Sequence, residues 1–443
     1  MRSRKTPLSP EARARALNAV RGKGQTASRL PQPRNRSPAF ETLAGYKERE
    51  MWREMSASFG IGDPTFRQIE GRPGPISRMG GRDVLNFSSY DYLGLNADPR
   101  PANAAKAAID RYGVSASASQ LTAGQRPIHR ELEKAIAAHY EVEDALTFVS
   151  GHATNVSVIS TLVQKNDLII YDECIHNSAS VGAALSTASR RSFAHNDLDA
   201  LEALLEENAG QYRATLIVVE GHYSMDGDIP DLGGLLALKA RFGFWLMVDE
   251  AHGLGCIGVT GKGVREVYGV AGEQVDIWMG TLSKTLGSTG GYVAGNAALI
   301  DIIKYEAPGS VYSVALSPPL AAAAACSLAI LEAEPERVAK VQARGAFFLE
   351  CASNLGLDTG SSIGSSIVPV IVGKTEIAIA LSMKLLERNI NALPIAFPGV
   401  PMNAARLRFF LTSEHTNEQI AHALAETANI LADLRDSPLA SLK

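Results

Sequence analysis

From residue 83 onward the apolar positions fall into two alternating kinds of run. Residues 145–149, 168–171, 215–220, 245–249 and 275–279 are short, rich in β-branched side chains and nearly continuous, as strands covered on both faces are. Between them the spacing is helical: Ile128, Leu132 and Ile136 share one face of a helix predicted over 127–140, and an Asn196/Asp197 cap opens another over 197–207. Strands alternating with helices predict an α/β fold with a mostly parallel central sheet and helices on both faces. The alanine-rich stretch 320–331 reads as a buried helix. After it the pattern changes to a flexible stretch 361–366, a strand 367–372, a helix 376–388 and a strand 407–411. The predicted organisation is a basic flexible leader (1–38), an N-terminal segment (39–82), a large domain (83–325) and a smaller α+β C-terminal domain (326–443).

Charge divides the chain unevenly. Residues 1–38 hold ten Lys or Arg against one acid, Glu11, so the leader carries +9 and the remainder −13 of a whole-chain −4. An acidic body lacks the basic face that nucleic-acid phosphates require, so a nucleic-acid binder is not expected. Within the leader Ser9 and Pro10 could open a short helix over 11–20. The rest reads as a solvated tail, with a docking arm for an acidic partner as the next reading. It has no apolar core of a secretory signal, although its Arg-rich, acid-poor start has the composition of a transit peptide. No run approaches the roughly 18 apolar residues of a membrane span, so no integral membrane protein is expected. Cys174, Cys256, Cys326 and Cys351 are scattered without a CxxC pair or zinc spacing, which predicts neither a disulfide framework nor a metal site and points to the cytoplasm.

Two motifs compete for the chemistry. Gly253-Leu-Gly-Cys-Ile-Gly258 matches the dinucleotide GxGxxG and follows a strand, but the glycine-rich residues after it cannot begin the helix that a pyrophosphate needs. The stronger signal joins two segments. An apolar strand ends in Asp249, which places a carboxylate at the carboxyl edge of a parallel sheet, where α/β sites lie. Thirty-five residues later Lys284 stands among small and hydroxyl residues in Gly280-Thr-Leu-Ser-Lys284-Thr-Leu-Gly-Ser-Thr-Gly-Gly291. A lysine and an acid on neighbouring strand ends are what pyridoxal phosphate requires: the lysine forms the Schiff base and the acid keeps the pyridine nitrogen protonated. Ser150-Gly-His-Ala-Thr-Asn155 follows a strand and opens a helix, whose free amides can hold the phosphate.

Together with Asn86-Phe-Ser-Ser-Tyr-Asp-Tyr-Leu-Gly-Leu95, Asp172-Glu-Cys-Ile-His-Asn-Ser178, Phe193-Ala-His-Asn-Asp197, Glu220-Gly-His-Tyr-Ser-Met-Asp-Gly-Asp228, Asp249-Glu-Ala-His-Gly253 and Arg406-Leu-Arg-Phe-Phe-Leu-Thr412, these motifs stand in the order found in the α-oxoamine synthases. Residues 83–435 resemble that family of fold-type-I pyridoxal 5'-phosphate enzymes. The resemblance implies that Lys284 carries the cofactor and later moves the substrate Cα proton, that Asp249 pairs with the pyridinium nitrogen, and that His176 stacks on the ring. It implies that His252 and Ser224 bond the phenolic oxygen, and that Thr281 with the amides of Gly151 and His152 contacts the phosphate. Arg408 would grip the amino-acid carboxylate through its planar fork, with Asn86 and Tyr90 also at the substrate.

The family shares its sites between two subunits. An obligate homodimer is therefore implied, with Ser313 as the partner's hydroxyl at the phosphate. The implied reaction condenses a small L-amino acid (serine, alanine or glycine) with an acyl thioester, on coenzyme A or an acyl carrier protein, with loss of CO2. Tyr90 resembles serine palmitoyltransferase, whereas residues 115–130 and the loop 397–401 resemble synthase domains attached to polyketide assembly lines, which favours secondary metabolism. An acidic carrier protein could be steered by the basic leader. An aminotransferase or aldolase of the same fold is the alternative enzyme. A silent regulatory subunit would lack the lysine that is present at position 284.

Overall fold

The computed structural model describes residues 37–58, 62–437 and 439. The leader up to residue 36, with its suggested helix over 11–20, lies outside the described residues. The chain divides into two compact units, Met1–Asp63 and Pro64–Lys443. In the first, a 3-10 turn, Phe40–Thr42, precedes a helix, Ala44–Ser58.

The second unit begins with a hairpin. Strands β1 (Ile76–Met79) and β2 (Arg82–Asn86) pair antiparallel around Gly80 and Gly81. Both glycines have positive φ, 55° and 76°, the backbone a two-residue hairpin turn needs for its twist to match the strands.

A seven-stranded sheet follows, built from β3 (Asp144–Phe148), β4 (Leu168–Asp172), β5 (Ser189–Phe193), β6 (Thr215–Glu220), β7 (Trp245–Asp249), β8 (Ile277–Thr281) and β9 (Gly291–Gly295), in the order β3-β9-β8-β7-β6-β4-β5. Only β9 runs against its neighbours. The predicted mostly parallel α/β sheet is therefore present, with five of its strands within a few residues of where the apolar runs put them. The other two escaped the pattern for opposite reasons. Ser-Arg-Arg-Ser-Phe of β5 lies at the sheet edge, where three of its residues face solvent, and β9 is too glycine-rich to read as a strand although it is buried throughout. Leu146, Val158, Ile169, Leu216, Met247 and Val293 belong to the core between this sheet and its helices.

Strands β10 (Ile367–Gly373), β11 (Ile390–Asn391), β12 (Leu393–Ile395) and β13 (Ala405–Phe410) complete the fold. An antiparallel sheet has the order β10-β13-β12, while β11 pairs parallel with β2. The expected partition changes here. Residue 325 lies inside the continuous helix Pro318–Ala333, and the β2–β11 pairing ties the first residues of the expected large domain to the C-terminal region. Ser365 and Ser366, from the stretch expected to be flexible, are buried.

Candidate active site

Parallel strands deliver their last residues to one edge of the sheet. Asp172, Glu220, Asp249 and Thr281 end β4, β6, β7 and β8, and Glu220 and Asp249 are register partners. Above this edge lies a cavity of about 270 Å³. It is lined by Ser150, Gly151, His152, Asn155, His176, Ser178, Glu220, Asp249, Ala251, His252, Met279, Thr281, Ser283 and Lys284. Seven of the residues named from the sequence thus meet in one place: Gly151, His152, His176, Asp249, His252, Thr281 and Lys284.

At one end of the cavity, the helix Gly151–Leu162 starts directly after β3, capped by Ser150, whose hydroxyl accepts from the Ala153 amide at 3.0 Å. Gly151 and His152 therefore occupy the first turn of the helix, where backbone N–H groups lack intrahelical acceptors. A Cβ on Gly151 would lie 3.1 Å from both Cβ and Oγ1 of Thr281, so glycine leaves the space beside the helix terminus open. Thr281 donates to the Gly290 carbonyl at 2.9 Å and bonds Ser283 Oγ at 2.8 Å.

At the other end Asp249 is fixed from two sides. Its Oδ2 accepts from Asn155 Nδ2 at 2.7 Å and its Oδ1 from the Ala251 amide at 2.9 Å. Asn155 also donates to Ser178 Oγ at 2.9 Å, and Ser178 Oγ bonds His176 Nδ1 at 2.7 Å. His176 caps the helix Asn177–Leu185, which fixes its ring at the cavity wall. Burial holds its pKa below the ordinary value.

Lys284 is half-buried, and its ammonium nitrogen lies 5.8 Å from the Tyr90 ring centroid. Burial pulls its pKa down to about 8, against the opposing attraction of Asp249 and Glu220. A lysine so poised supplies free amine near neutral pH, as a nucleophile and base requires. Burial, assisted by the Asp249 charge, pushes the carboxyl of Glu220 up to about 8. Glu220 Oε2 accepts from the Ser224 amide at 3.1 Å, while its buried Oε1 has no hydrogen-bond partner among the described residues.

Tyr90, Arg408 and Phe410 stand beside this cavity. The Arg408 guanidinium carbon lies 4.5 Å from the Phe410 ring centroid, and Phe410 meets Tyr90 edge-on at 4.8 Å. Arg408 donates to the Ser224 carbonyl at 2.8 Å, while its buried Nε has no hydrogen-bond partner among the described residues. Ser224 is buried, and its main chain makes the contacts to Glu220 and Arg408.

Asn86 is placed differently from its expected role. It is buried, outside the cavity lining, and its carboxamide is occupied: Nδ2 donates to Ser77 Oγ at 3.1 Å, and Oδ1 accepts from Asn391 Nδ2 at 2.9 Å. Its position on β2 beside β11 makes it a joint between strands. Ser313 also lies outside the cavity lining and donates to the Val314 carbonyl at 3.2 Å.

Glu220, Asn155 and Ser178 were not singled out from the sequence. Their only signal was membership of the motifs, because a polar residue in an apolar run gives no indication of which wall it faces. The described residues with ligand-like spacing for a metal, Asp172, Cys174 and His195, are engaged with one another and with Asp228. Both ring nitrogens of His195 bond carboxylates, Asp172 and Asp228, each at 2.9 Å. Burial opposes charge on that ring, but the two carboxylates outweigh it and push its pKa up to about 12.

The family model for aminotransferase class I and II matches residues 82–426. An 8-amino-7-oxononanoate synthase of Symbiobacterium thermophilum is 38% identical over 394 residues, covering 89% of this chain and 97% of its own. One from Methylorubrum extorquens is 40% identical over 404 residues, covering 91% and 98%. Among solved structures, a serine palmitoyltransferase from S. paucimobilis with bound pyridoxal phosphate–myriocin aldimine superimposes with a TM-score of 0.85 at 28% identity, over 89% of this chain and 99% of that one. The Sphingomonas wittichii serine palmitoyltransferase gives 0.84 at 30% identity, over 90% and 100%.

The fold is that of a fold-type-I pyridoxal-phosphate transferase. The chain belongs to the class I and II aminotransferase family and, within it, to the α-oxoamine synthases, pyridoxal-phosphate-dependent acyltransferases. The residues present fit that cofactor. The open helix terminus beside Gly151 suits a phosphate, Lys284 a carbonyl carbon and Asp249 a protonated ring nitrogen, and Glu220, whose Oε1 is unpartnered among the described residues, lines the same space. When bound, pyridoxal phosphate supplies an electron sink for charge developing on a substrate α-carbon.

Proposed function

We propose that this enzyme condenses a small L-amino acid (serine, alanine or glycine) with an acyl thioester to give an α-aminoketone. A bond forms between the amino acid's α-carbon and the thioester's carbonyl carbon. The thiol leaves with a proton, and the amino-acid carboxylate departs as CO2. The observation that carries this reading is the line of groups from Lys284 past Tyr90 and Phe410 to Arg408, with spacings of 5.8, 4.8 and 4.5 Å. Such a line groups a base and a carboxylate-binding fork around one aromatic pair beside the cavity. Lys284 holds and moves the Cα proton, and Arg408 orients the carboxylate. Relatives named 8-amino-7-oxononanoate synthase and neighbours named serine palmitoyltransferase support this class of condensation.

The functional unit in this reading is a cytoplasmic homodimer in which Ser313 reaches the partner's phosphate site. Its neighbours Tyr312 and Val314 are exposed, which suits a contact surface. The acyl donor is a carrier protein, drawn by the basic leader, with coenzyme A as the alternative carrier. Among the described residues no helix is long and apolar enough to cross a membrane.

The substrate test is a visible absorbance titration of the purified, cofactor-loaded protein with glycine, L-alanine and L-serine. The expected result is a band near ~420 nm that moves with one of the three and is lost in Lys284→Ala. A protein that stays colourless after pyridoxal phosphate is added contradicts the reading.

A further inference from the structure

Tyr92 takes no part in the reactions described above, yet its hydroxyl reaches the cavity wall. It is fully buried, in a cluster with Cys256, Ile257, Ile367 and Phe410. Its hydroxyl lies 2.7 Å from Nδ1 of His252, the histidine at the cavity wall. This hydroxyl has no other hydrogen-bond partner among the described residues. Nδ1 of His252 likewise has no other.

The direction of this bond follows from what each group can donate and accept. A buried phenol that gives its proton to nothing loses the hydration it had in the unfolded chain without replacement, and the apolar cluster around Tyr92 contains no better acceptor than the imidazole nitrogen. Tyr92 stays a neutral phenol, since burial raises its pKa well above the ordinary value. Burial likewise holds the His252 pKa well below its ordinary value, and the charges of Lys284 and Arg408 and the rings of His222 and His176 act in the same direction. A neutral imidazole has one N–H. With Nδ1 accepting from the phenol, that N–H is on Nε2, which bonds no described residue. The ring plane is held as well: it stacks on Phe410 with 8° between planes at 6.4 Å, and His222 Nδ1 donates to the His252 carbonyl at 3.2 Å.

We propose that Tyr92 is a positioning residue that fixes His252 in the Nε2–H tautomer, so that the histidine presents a hydrogen-bond donor to an anionic oxygen in the cavity, the phenolic oxygen of the cofactor. The proposal rests on the cofactor reading of the site but not on the choice of substrates. Without the phenol, the two neutral tautomers become comparable in population, and the form with an Nδ1–H and an accepting Nε2 sets a lone pair against the same anionic oxygen.

The test has two parts. Long-range nitrogen–proton NMR on protein labelled with ¹⁵N-histidine, free of cofactor and substrate, reads the tautomer directly, with the His252 signals assigned by their loss in His252→Gln. The Nε2–H pattern is expected in the wild type, and an Nδ1–H pattern overturns the proposal even if Tyr92→Phe fails to fold. In folded Tyr92→Phe, loaded with cofactor, the visible band is then titrated with pH. The expected result is a higher midpoint for loss of the band, by roughly half to one pH unit, because a donor to the phenolic oxygen favours the deprotonated, more anionic form and that donor is weakened. A midpoint equal to that of the wild type overturns the link to the cofactor. A wild-type protein that binds no pyridoxal phosphate, with the Nε2–H tautomer present, overturns the cofactor reading and with it the role given to Tyr92, while the tautomer itself stands.

Discussion

Glu220 and Asp249 end adjacent parallel strands in register, so two carboxyl groups meet at the carboxyl edge of the sheet beneath the Lys284 amine. Burial and the neighbouring charge give them different work. Glu220 retains a proton up to about pH 8, while Asn155 and the Ala251 amide hold the Asp249 carboxylate oxygens in place.

This relationship sets a pH dependence of stability. The folded-state pKa of Glu220 is raised from 4.5 to about 8, so its contribution is fully present below about pH 4.5 and is lost as pH rises through about 8. Glu220→Gln removes that dependence. In denaturant unfolding of the apoprotein, the variant should gain on the wild type as pH rises from 5 to 9, by roughly a few kcal/mol. Parallel stability profiles would show that Glu220 ionises as an ordinary carboxylate.

Asp249→Asn is nearly isosteric, yet it removes the charge and sets an amide N–H₂ against the Asn155 donor now 2.7 Å from Oδ2. The variant should still bind pyridoxal phosphate through the phosphate end of the cavity, while kcat falls by roughly 10²-fold or more. Retained activity would remove Asp249 from the chemistry.

Gly151→Ala tests the phosphate end. The new Cβ would meet Thr281 at 3.1 Å, in the space beside the first turn of the helix. Cofactor affinity should weaken by roughly tenfold, about 1.4 kcal/mol, with the fold unchanged. Equilibrium dialysis of pyridoxal phosphate measures it, and an unchanged Kd would move the phosphate site elsewhere.

Arg408→Lys keeps a positive charge but loses the planar fork. The KM for the amino acid should rise by at least roughly tenfold, with cofactor binding unaltered. Steady-state kinetics with both substrates varied separates this from a fall in kcat alone, which would deny Arg408 the carboxylate.

The reacting centre was legible in the sequence because Asp249 and Lys284 each follow an apolar strand, where charge is conspicuous. His176, His252 and Thr281 became visible only through the motifs around them. Other features had no local signature. Tyr92 looks like any core aromatic, and the hydrogen bond of its hydroxyl spans 160 residues of chain. The pairing of β2 with β11 joins segments about 300 residues apart, which no run of apolar residues announces. Asn86 was drawn towards the substrate by its motif, whereas its partners Ser77 and Asn391 make it part of that strand junction.

The central claim is a condensation with loss of CO2, and the most direct measurement is its mass balance. Cofactor-loaded protein is incubated with a carboxyl-labelled amino acid, the one that moves the visible band, and an acyl thioester. Labelled CO2, free thiol and aminoketone are then quantified together. The expected result is equal amounts of all three, and none of them with Lys284→Ala. Thiol released without labelled CO2, or an oxo acid formed with the label retained, would contradict the claim and indicate amino transfer or thioester hydrolysis instead.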